Sequence, residues 1–268
     1  MRVTLFDLPV DILSREETID LILSAIASGQ RLQHVALNVA KLVNARSNAE
    51  LESDIRDSDI VGIDGMGIVY ALRLFGYRVP ERVAGADLFE SLMAECARRG
   101  LKPFLLGATP KVLAEAEQNL LRRYPGLTLA GKCDGYFVPN EEAEICEQIR
   151  KSGADCLFIA MPTPRKERFM HNHRDGLGVP FVMGIGGTLD VVAGYVQRAP
   201  AAVQSVGLEW AYRMLQEPRR LGGRYLYTNL IFAGMLVRPL LARSGRALWG
   251  LIGGAKTKDP RVTLSDPR

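Results

Sequence analysis

The stretch DIVGIDGMG, residues 59–67, decides how the fold is interpreted. It begins as a short apolar run of the kind found in strands that are buried on both faces of a sheet, and it stops at Asp64 and Gly65. Four further runs are similarly brief and rich in Val, Ile, Leu and Phe: HVALN (34–38), PFLLG (103–107), CLFIA (156–160) and PFVMGIG (180–186). The sequence therefore predicts five buried strands.

Amphipathic stretches separate these runs. Residues 86–99 and 110–123 each place their apolar side chains on one stripe of a helix. This alternation predicts an α/β fold with a Rossmann-like, mostly parallel sheet and helices on both faces. Ligands bind beyond the carboxyl ends of the strands in such sheets, so the residues that end the strands are the candidates for a site. These residues are Asn38, Asp64, Gly107 and the run from Gly184 to Gly187.

The pattern changes after about Ser205, and we predict a main domain over residues 1–205 and a helical appendage over residues 206–268. From Trp210 to the end, eleven Lys and Arg oppose three Asp and Glu, a net charge of +8, whereas the whole chain carries +4. The rest of the chain is therefore acidic. A basic tail that is also apolar and aromatic favours an anionic membrane surface over nucleic acid.

The longest apolar stretch of the appendage, Tyr225–Leu241, is interrupted by Arg238 and Pro239. Its seventeen residues are marginal for spanning a bilayer. Two interpretations stay open: an amphipathic segment that lies in the membrane interface, and a helical appendage that packs on the core. Acidic side chains interrupt residues 1–18, which do not resemble a signal peptide, so we expect a cytoplasmic protein.

The segment Gly184-Ile-Gly-Gly-Thr-Leu-Asp190 follows a predicted strand and opens a helix. Small residues at such a turn allow backbone amides to approach a phosphate. The segment fails as a dinucleotide fingerprint because Leu189 takes the place of the third glycine. We expect it to hold a nucleotide diphosphate.

Two carboxylate positions carry chemical interest. Asp64, at the end of its strand, is a candidate general base, although it could equally cap the following helix. Asp57-Ser58-Asp59 matches a paired-aspartate metal motif, but it precedes the strand instead of following it. We interpret it as a solvated turn and expect no metal site and no cofactor.

Arginines 213, 219, 220 and 224 crowd the start of the appendage. Guanidinium groups suit the oxygens of a diphosphate, so this cluster could bind a lipid diphosphate. A plain basic surface that faces the membrane is the alternative.

The motifs, taken in order, resemble the WecG/TagA/CpsF glycosyltransferases, which include N-acetylmannosaminyltransferases, over roughly residues 5–225. The ordered set is specific, although no single motif is. The motifs are Leu37-Asn38, Asp64-Gly-Met-Gly67, Arg82-Val-Ala-Gly-Ala-Asp87, Gly135-Tyr-Phe137, Pro164-Arg-Lys-Glu167, Gly184-x-Gly-Gly187-x-x-Asp190, Arg198-Ala-Pro200 and Gly207-Leu-Glu-Trp210-x-x-Arg213.

The resemblance implies an inverting, metal-independent transferase that moves a sugar from a UDP-sugar to a polyprenyl-diphosphate-linked acceptor in cell-surface polysaccharide assembly. Such an enzyme would be attached peripherally to the inner face of the cytoplasmic membrane. The oligomeric state, including a homo-oligomer, stays open. The family's base falls on Asp64 and its pocket residues fall on Asn38 and Arg82. The other implied donor contacts are Gly107, Tyr136, Lys166, Glu167, Gly184, Gly186, Gly187, Thr188 and Asp190, and the implied acceptor contacts are Arg213, Arg220 and Arg224.

Two positions depart from the family pattern. Ala36 replaces the usual Thr two residues before the pocket Asn, and Lys166 replaces the usual Gln before Glu167. An ammonium group donates hydrogen bonds but cannot accept them, so Lys166 could favour a donor that carries a uronic acid carboxylate.

Two other functions stay open from the residues alone. One is a nucleotide-dependent oxidoreductase or epimerase that acts on UDP-sugars, and the other is a non-catalytic scaffold at the membrane. The first predicts tightly bound NAD(P), and the second predicts indifference to the loss of Asp64.

Overall fold

The computed structural model describes residues 1–205 and 207–250; the side chains of Ala201, Ser205, Arg220, Leu221 and residues 238–250 are not described. Eight strands lie in this range. They are β1 (Arg2–Leu5), β2 (Leu8–Asp11), β3 (Leu32–Leu37), β4 (Ile60–Ile63), β5 (Pro103–Gly107), β6 (Gly131–Cys133), β7 (Cys156–Ala160) and β8 (Phe181–Gly184).

Helices connect the strands and continue after the last one. They are α1 (Arg15–Ser28), α2 (Val39–Ala45), α3 (Ala49–Arg56), α4 (Met66–Leu74), α5 (Gly85–Arg99), α6 (Pro110–Arg123), α7 (Glu142–Lys151), α8 (Arg165–Asn172), α9 (Thr188–Val192), α10 (Ala201–Ser205), α11 (Glu209–Gln216) and α12 (Pro218–Gly250), with a short 3-10 helix at Pro139–Glu141.

Six of the strands form one parallel sheet in the order β4-β3-β8-β7-β5-β6. The chain leaves β5 toward β6 on one side, whereas it leaves β7 toward β8 on the other side. The crevice between the carboxyl ends of β5 and β7 is therefore a topological switch point, where α/β sheets bind ligands.

Side chains of the strands alternate between two apolar layers. Along β7, Leu157 and Ile159 join the layer that contains α2, α3, α4, α7 and α8, whereas Phe158 joins the layer that contains α1, α5, α6 and α9. Burial on both faces explains why the strands lack polar alternation. The predicted α/β sheet with helices on both faces is confirmed.

The five predicted strands are present, and the predicted helices agree with α5 and α6 to within one residue. The sequence analysis missed β6, which is only three residues long, and the β1–β2 hairpin. The hairpin turn consists of Phe6 and Asp7, both with positive φ, instead of the glycine-containing pair that usually marks such turns. Asp11 of β2 accepts a hydrogen bond from the backbone nitrogen of Val61 at 2.8 Å, so the hairpin protects the edge of β4.

The appendage helix α12 packs on the main domain. Phe232 is buried, and its ring meets the ring of Phe6 edge to face with centroids 6.2 Å apart. A side chain at Gly67 of α4 would crowd Val39 and approach Phe232, so the absence of a side chain there permits this packing. The prediction of a helical C-terminal appendage is confirmed for the described residues, and one face of it belongs to the core.

The opposite face of α12 is apolar and exposed. Leu226, Tyr227 and Leu230 are 63%, 62% and 64% exposed, and Ile231 and Val237 are also exposed. Within the described residues, no helix combines the length and the apolarity needed to cross a bilayer. The two sequence-based interpretations of this segment are thus compatible: one face packs on the core while the other remains available.

Candidate active site

A carboxylate and an amide meet at the carboxyl ends of β3 and β4. Asn38 caps the N-terminus of α2 by accepting a hydrogen bond from the backbone nitrogen of Lys41 at 3.0 Å. Its Nδ2 donates to Oδ2 of Asp64 at 3.3 Å. Since parallel strands end at the same edge of a sheet, residues that are 26 positions apart meet here.

The other carboxylate oxygen of Asp64 accepts a hydrogen bond from the backbone nitrogen of Gly85 at 2.9 Å. Gly85 is the first residue of α5, and a helix N-terminus favours a negative charge. The helix that directly follows Asp64, α4, begins at Met66; its N-cap residue is Gly65, and no side chain caps it. The interpretation of Asp64 as the cap of that helix is therefore wrong. The carboxylate is fixed through both oxygens while remaining partly exposed.

Arg82 lies beside this pair because the backbone nitrogen of Val83 donates to the carbonyl of Ile63 at 2.9 Å. Its guanidinium group forms an ion pair with Glu209 at 2.7 Å and donates to Oε1 of Gln204 at 3.1 Å. Glu209 belongs to the appendage, and Gln204 lies just before it at the end of the main domain. Arg82 therefore contacts side chains that lie more than 120 positions later in the sequence.

Beneath the strand ends lies a buried cluster of three charges, which we call the lysine–glutamate cluster: Lys41, Lys166 and Glu167. Oε1 of Glu167 lies 2.8 Å from Nζ of Lys41 and 2.9 Å from Nζ of Lys166. Lys41 also donates to the carbonyl of Ala36 at 2.7 Å, and Lys166 donates to the hydroxyl of Thr163. Two positive groups share one negative group, so the cluster carries a net charge of +1.

The pKa values of Glu167 and Lys166 are both lowered, but for different reasons. Burial would raise the pKa of Glu167, but Lys41 and Lys166 outweigh it and lower that pKa to about 2. Burial, followed by repulsion from Lys41, lowers the pKa of Lys166 to about 8, although Glu167 and Asp64 oppose this shift. Glu167 is therefore ionised at neutral pH, and the floor of the site favours anions.

His34 of β3 lies fully buried next to this cluster. Burial is the main cause that lowers its pKa to about 4, and Lys41 adds to it, so the ring is neutral. Both ring nitrogens lack a hydrogen-bond partner. A side chain at Gly62 would begin 2.6 Å from Nε2 of His34, which explains the glycine in the middle of β4.

Tyr136 is 75% exposed and lies on a loop that follows β6. Arg165 at the start of α8 holds this loop by donating to the carbonyls of Gly135 at 2.8 Å and Phe137 at 2.6 Å. The loop therefore folds back over the ends of β5 and β7. Three strand spacings separate β7 from β4, which is roughly 14 Å. An extended nucleotide-sugar is long enough to bridge such a distance.

Glycine at position 107 is a steric requirement of the same crevice. Its φ is +118°, and a side chain there would begin 2.5 Å from the carbonyl oxygen of Ala160. The backbone of Gly135 also approaches Gly107 closely. The predicted site residue Gly107 thus shapes the switch point between β5 and β7.

The segment from Gly184 to Asp190 connects β8 to α9, as predicted, although α9 has only five residues. A side chain at Gly184 would begin 2.9 Å from Cδ of Lys166, so this glycine makes room for the lysine stem. Gly186 has open space around it, whereas the hydroxyl of Thr188 is buried and donates to the carbonyl of Ile185. The carboxylate of Asp190 lies near Gly187, 3.5 Å from where its side chain would begin.

The predicted acceptor arginines occupy different surroundings. Arg213 lies on α11, and its buried Nε has no hydrogen-bond partner. Arg224 is exposed and lies over the ring of Tyr225, with 5.2 Å from the guanidinium carbon to the ring centroid. The side chain of Arg220 lies outside the described residues.

The Asp57-Ser58-Asp59 segment lies at the opposite end of β4 from Asp64. Asp59 accepts a hydrogen bond from the backbone nitrogen of Gln33 at 2.7 Å and pairs with Arg174. Ser58 is buried. The segment therefore fastens two strands, and the interpretation as a solvated turn is correct only for Asp57.

Sequence analysis missed three residues of this region. Lys41 was not selected because a lysine in a helix is usually exposed, although its position three residues after the cap Asn38 pointed to the site. Arg165 belongs to the Pro164–Glu167 motif, but the motif alone does not indicate what this arginine does. Arg198, also within a motif, donates to Gln204 at 3.0 Å and pairs with Asp87.

A parallel sheet whose carboxyl edge gathers a fixed carboxylate, an amide and several cations is the arrangement of an enzyme site. The model of the "Glycosyl transferase WecG/TagA/CpsF family" matches residues 3–246. The chain belongs to this family of glycosyltransferases, which function in cell-surface polysaccharide synthesis. Membership confirms the predicted enzyme class over the oxidoreductase and scaffold alternatives.

The lysine–glutamate cluster predicts an unequal response to two substitutions. Glu167→Gln leaves two buried ammonium groups without a counter-charge and should lower the free energy of unfolding by about 3–5 kcal/mol at pH 7. Lys166→Gln leaves a balanced pair and should cost much less. Chemical denaturation of both variants and the wild type measures the difference.

The difference in free energy of unfolding between the wild type and Glu167→Gln should depend on pH. The pKa of Glu167 is lowered from 4.5 to about 2 in the folded chain, so its stabilisation is complete above pH 4.5 and is lost as the pH falls toward 2. The gap between the wild type and Glu167→Gln should narrow in that window. If Glu167→Gln and Lys166→Gln lower the free energy of unfolding equally at pH 7, the net positive charge assigned to the lysine–glutamate cluster is contradicted.

Proposed function

We propose that this protein is an inverting glycosyltransferase that moves a sugar from UDP to a polyprenyl-diphosphate-linked acceptor, with Asp64 as the general base. The observation that supports this most directly is the fixation of the Asp64 carboxylate by Asn38 and Gly85 at the carboxyl edge of the sheet. A carboxylate that is oriented through both oxygens and partly open to solvent is suited to receive a proton.

The reaction is a single displacement. Asp64 takes the proton of the acceptor hydroxyl, whose oxygen forms a bond to the anomeric carbon as the bond from that carbon to UDP breaks. The electron pair of the broken bond leaves with UDP, and the configuration at the anomeric carbon inverts. Cationic side chains at the edge of the sheet offset the charge that develops on the diphosphate. No metal is assigned to this step.

The donor site extends from Asp64 toward the switch point between β5 and β7. The exposed ring of Tyr136 is suited to stack on uracil, and the open backbone at Gly186 and Gly187 is suited to the diphosphate. The net positive lysine–glutamate cluster below the site favours an anionic donor. Lys166 lies in the floor, where the family usually has Gln, and we assign to it a preference for a sugar that carries a carboxylate.

The exposed apolar face of α12 and the basic charge of the appendage support attachment to the cytoplasmic face of a membrane. An apolar helix face next to arginines fits the headgroup region of an anionic bilayer. The acceptor is a lipid, so attachment would bring its diphosphate to the edge of the sheet.

Substitution of the proposed base tests the mechanism. Asp64→Asn retains shape and the hydrogen bond from Gly85 but cannot accept the proton, so the transfer rate should fall by about 10²–10⁴-fold. Binding of UDP, measured by calorimetry, should change little. Turnover close to that of the wild type would remove Asp64 from the mechanism.

The preference assigned to Lys166 has its own test. Lys166→Gln should lower the ratio of kcat/KM for UDP-N-acetylmannosaminuronic acid to that for UDP-N-acetylmannosamine by roughly 10–100-fold, because a hydrogen bond between charged groups is lost. The KM for the acceptor should stay the same. An unchanged ratio between the acidic and neutral donors would refute the assignment.

The membrane surface can be tested without assaying transfer. The double substitution Leu226→Ser and Leu230→Ser should reduce co-sedimentation with anionic vesicles by about tenfold or more, because each leucine contributes up to about 1.5–3 kcal/mol on burial. Leu121→Ser, at an exposed leucine of α6, is the matched control and should have no effect. Vesicle binding that survives the double substitution would assign attachment to another surface.

A further inference from the structure

Glu209, at the start of α11, has its carboxylate between two arginines of the main domain. Its Oε2 lies 2.7 Å from Arg82, and its Oε1 lies 4.0 Å from Nε of Arg198. The side chains of Arg82 and Glu209 are 13% and 17% exposed, so solvent screens this contact only weakly. Gln204 accepts a hydrogen bond from each arginine and links them.

The arginines in this region have more N–H donors than the neighbouring residues supply acceptors. Nε of Arg198 is buried and has no hydrogen-bond partner, although the group pairs with Asp87. Nε of Arg213, one turn after Glu209 on the same helix, is also buried without a partner. Buried donors are normally satisfied, so these two are positions where an added acceptor with several oxygens would be stabilised once the side chains that cover them move.

The backbone around Arg82 connects these arginines to the segment that holds the proposed base. Val83, next to Arg82, is hydrogen-bonded to the end of β4, and Gly85 is hydrogen-bonded to Asp64. Arg82 therefore belongs to the backbone segment that holds the proposed base, and Gln204 joins Arg198 to it. Glu209 itself comes from the appendage, whose described residues form no backbone ladder with the sheet.

We propose that Arg82 and Arg198 form a binding site for a substrate phosphate group and that Glu209 occupies this site as a competing carboxylate, which leaves when the phosphate binds. A carboxylate presents two oxygens to the arginines, whereas a diphosphate presents more and carries more charge. The phosphate is that of the donor or of the lipid acceptor, and this identity rests on the proposed function.

The test measures binding of inorganic pyrophosphate by calorimetry, which needs no glycosyl transfer. Glu209→Gln removes the competing charge and should strengthen pyrophosphate binding by about tenfold, within the range of coupling between sites. Arg198→Gln should weaken it. Glu147→Gln is the matched control, because Glu147 forms its ion pairs with Arg150 and Lys151 of its own helix α7, and it should bind like the wild type.

Stability supplies a second measurement, since Glu209→Gln also leaves Arg82 without its counter-charge. The variant should unfold at a lower temperature than the wild type without pyrophosphate and should gain more from its addition. If Glu209→Gln does not fold, Glu209→Asp withdraws the carboxylate by one methylene and should give an intermediate gain in affinity. A purely structural ion pair would lower stability without strengthening pyrophosphate binding, and that result would overturn the proposal.

Two further ligands identify the source of the phosphate. If the effect of Glu209→Gln appears with UDP, the site belongs to the donor; if it appears with geranyl diphosphate, the site belongs to the acceptor. If Glu209→Gln strengthens pyrophosphate binding but the wild-type protein transfers no sugar from any UDP-sugar, the phosphate site is supported and the proposed function is refuted. Affinity for pyrophosphate that is the same in Glu209→Gln, Glu147→Gln and the wild type would refute the site itself.

Discussion

The carboxylate of Glu167 bridges two buried ammonium groups, and the positions of two site helices depend on this contact. Lys41 belongs to α2, which follows β3, whereas Glu167 and Lys166 belong to α8, which follows β7. The ion pairs therefore connect helices from strands that are not neighbours in the sheet. Because α2 begins at Asn38, and Asn38 donates to Asp64, the same contacts position the proposed base.

Such a cluster would be expensive in a core without a functional reason. Two lysines are buried for one glutamate, and the desolvation of buried charges often exceeds the gain from pairing them. Both lysines also lie in the first turn of a helix, where the helix dipole disfavours a positive charge. A site that receives an anionic substrate gives this arrangement a purpose, since the uncompensated charge then attracts the ligand instead of only destabilising the fold.

Much of the sheet could be predicted because its strands are buried on both faces and appear as apolar runs. The meeting of Asn38 and Asp64 also followed from the sequence, since both end strands of one parallel sheet. The hairpin turn at Phe6 could not be predicted, because a phenylalanine has no local preference for positive φ, and its ring packs against Phe75 and Phe232, which are distant in sequence. The partners of Arg82 could not be predicted either, because no spacing rule relates it to Glu209.

For a related reason, the sequence alone could not decide between the two interpretations of the C-terminal segment. Apolar residues surround much of α12, so periodicity alone does not distinguish a face that packs from a face that is exposed. The structure distinguishes them, since Phe232 enters the core while Leu230, two residues earlier, is exposed. A helix that is apolar on both faces can rest on the protein and on a bilayer at once.

This double contact has a consequence for the edge of the sheet. The α11–α12 segment carries Glu209 to Arg82, and α12 docks through Phe232 next to α2 and α4. The exposed face of α12 therefore belongs to a helix that packs on α2, and α2 carries both Lys41 of the lysine–glutamate cluster and the cap Asn38, which donates to Asp64. Ion pairs between half-buried groups respond strongly to small displacements, because their energy depends on both distance and solvent access. A displacement of the appendage would therefore disturb two sets of contacts at once: the ion pair of Arg82 with Glu209 and the packing of α2.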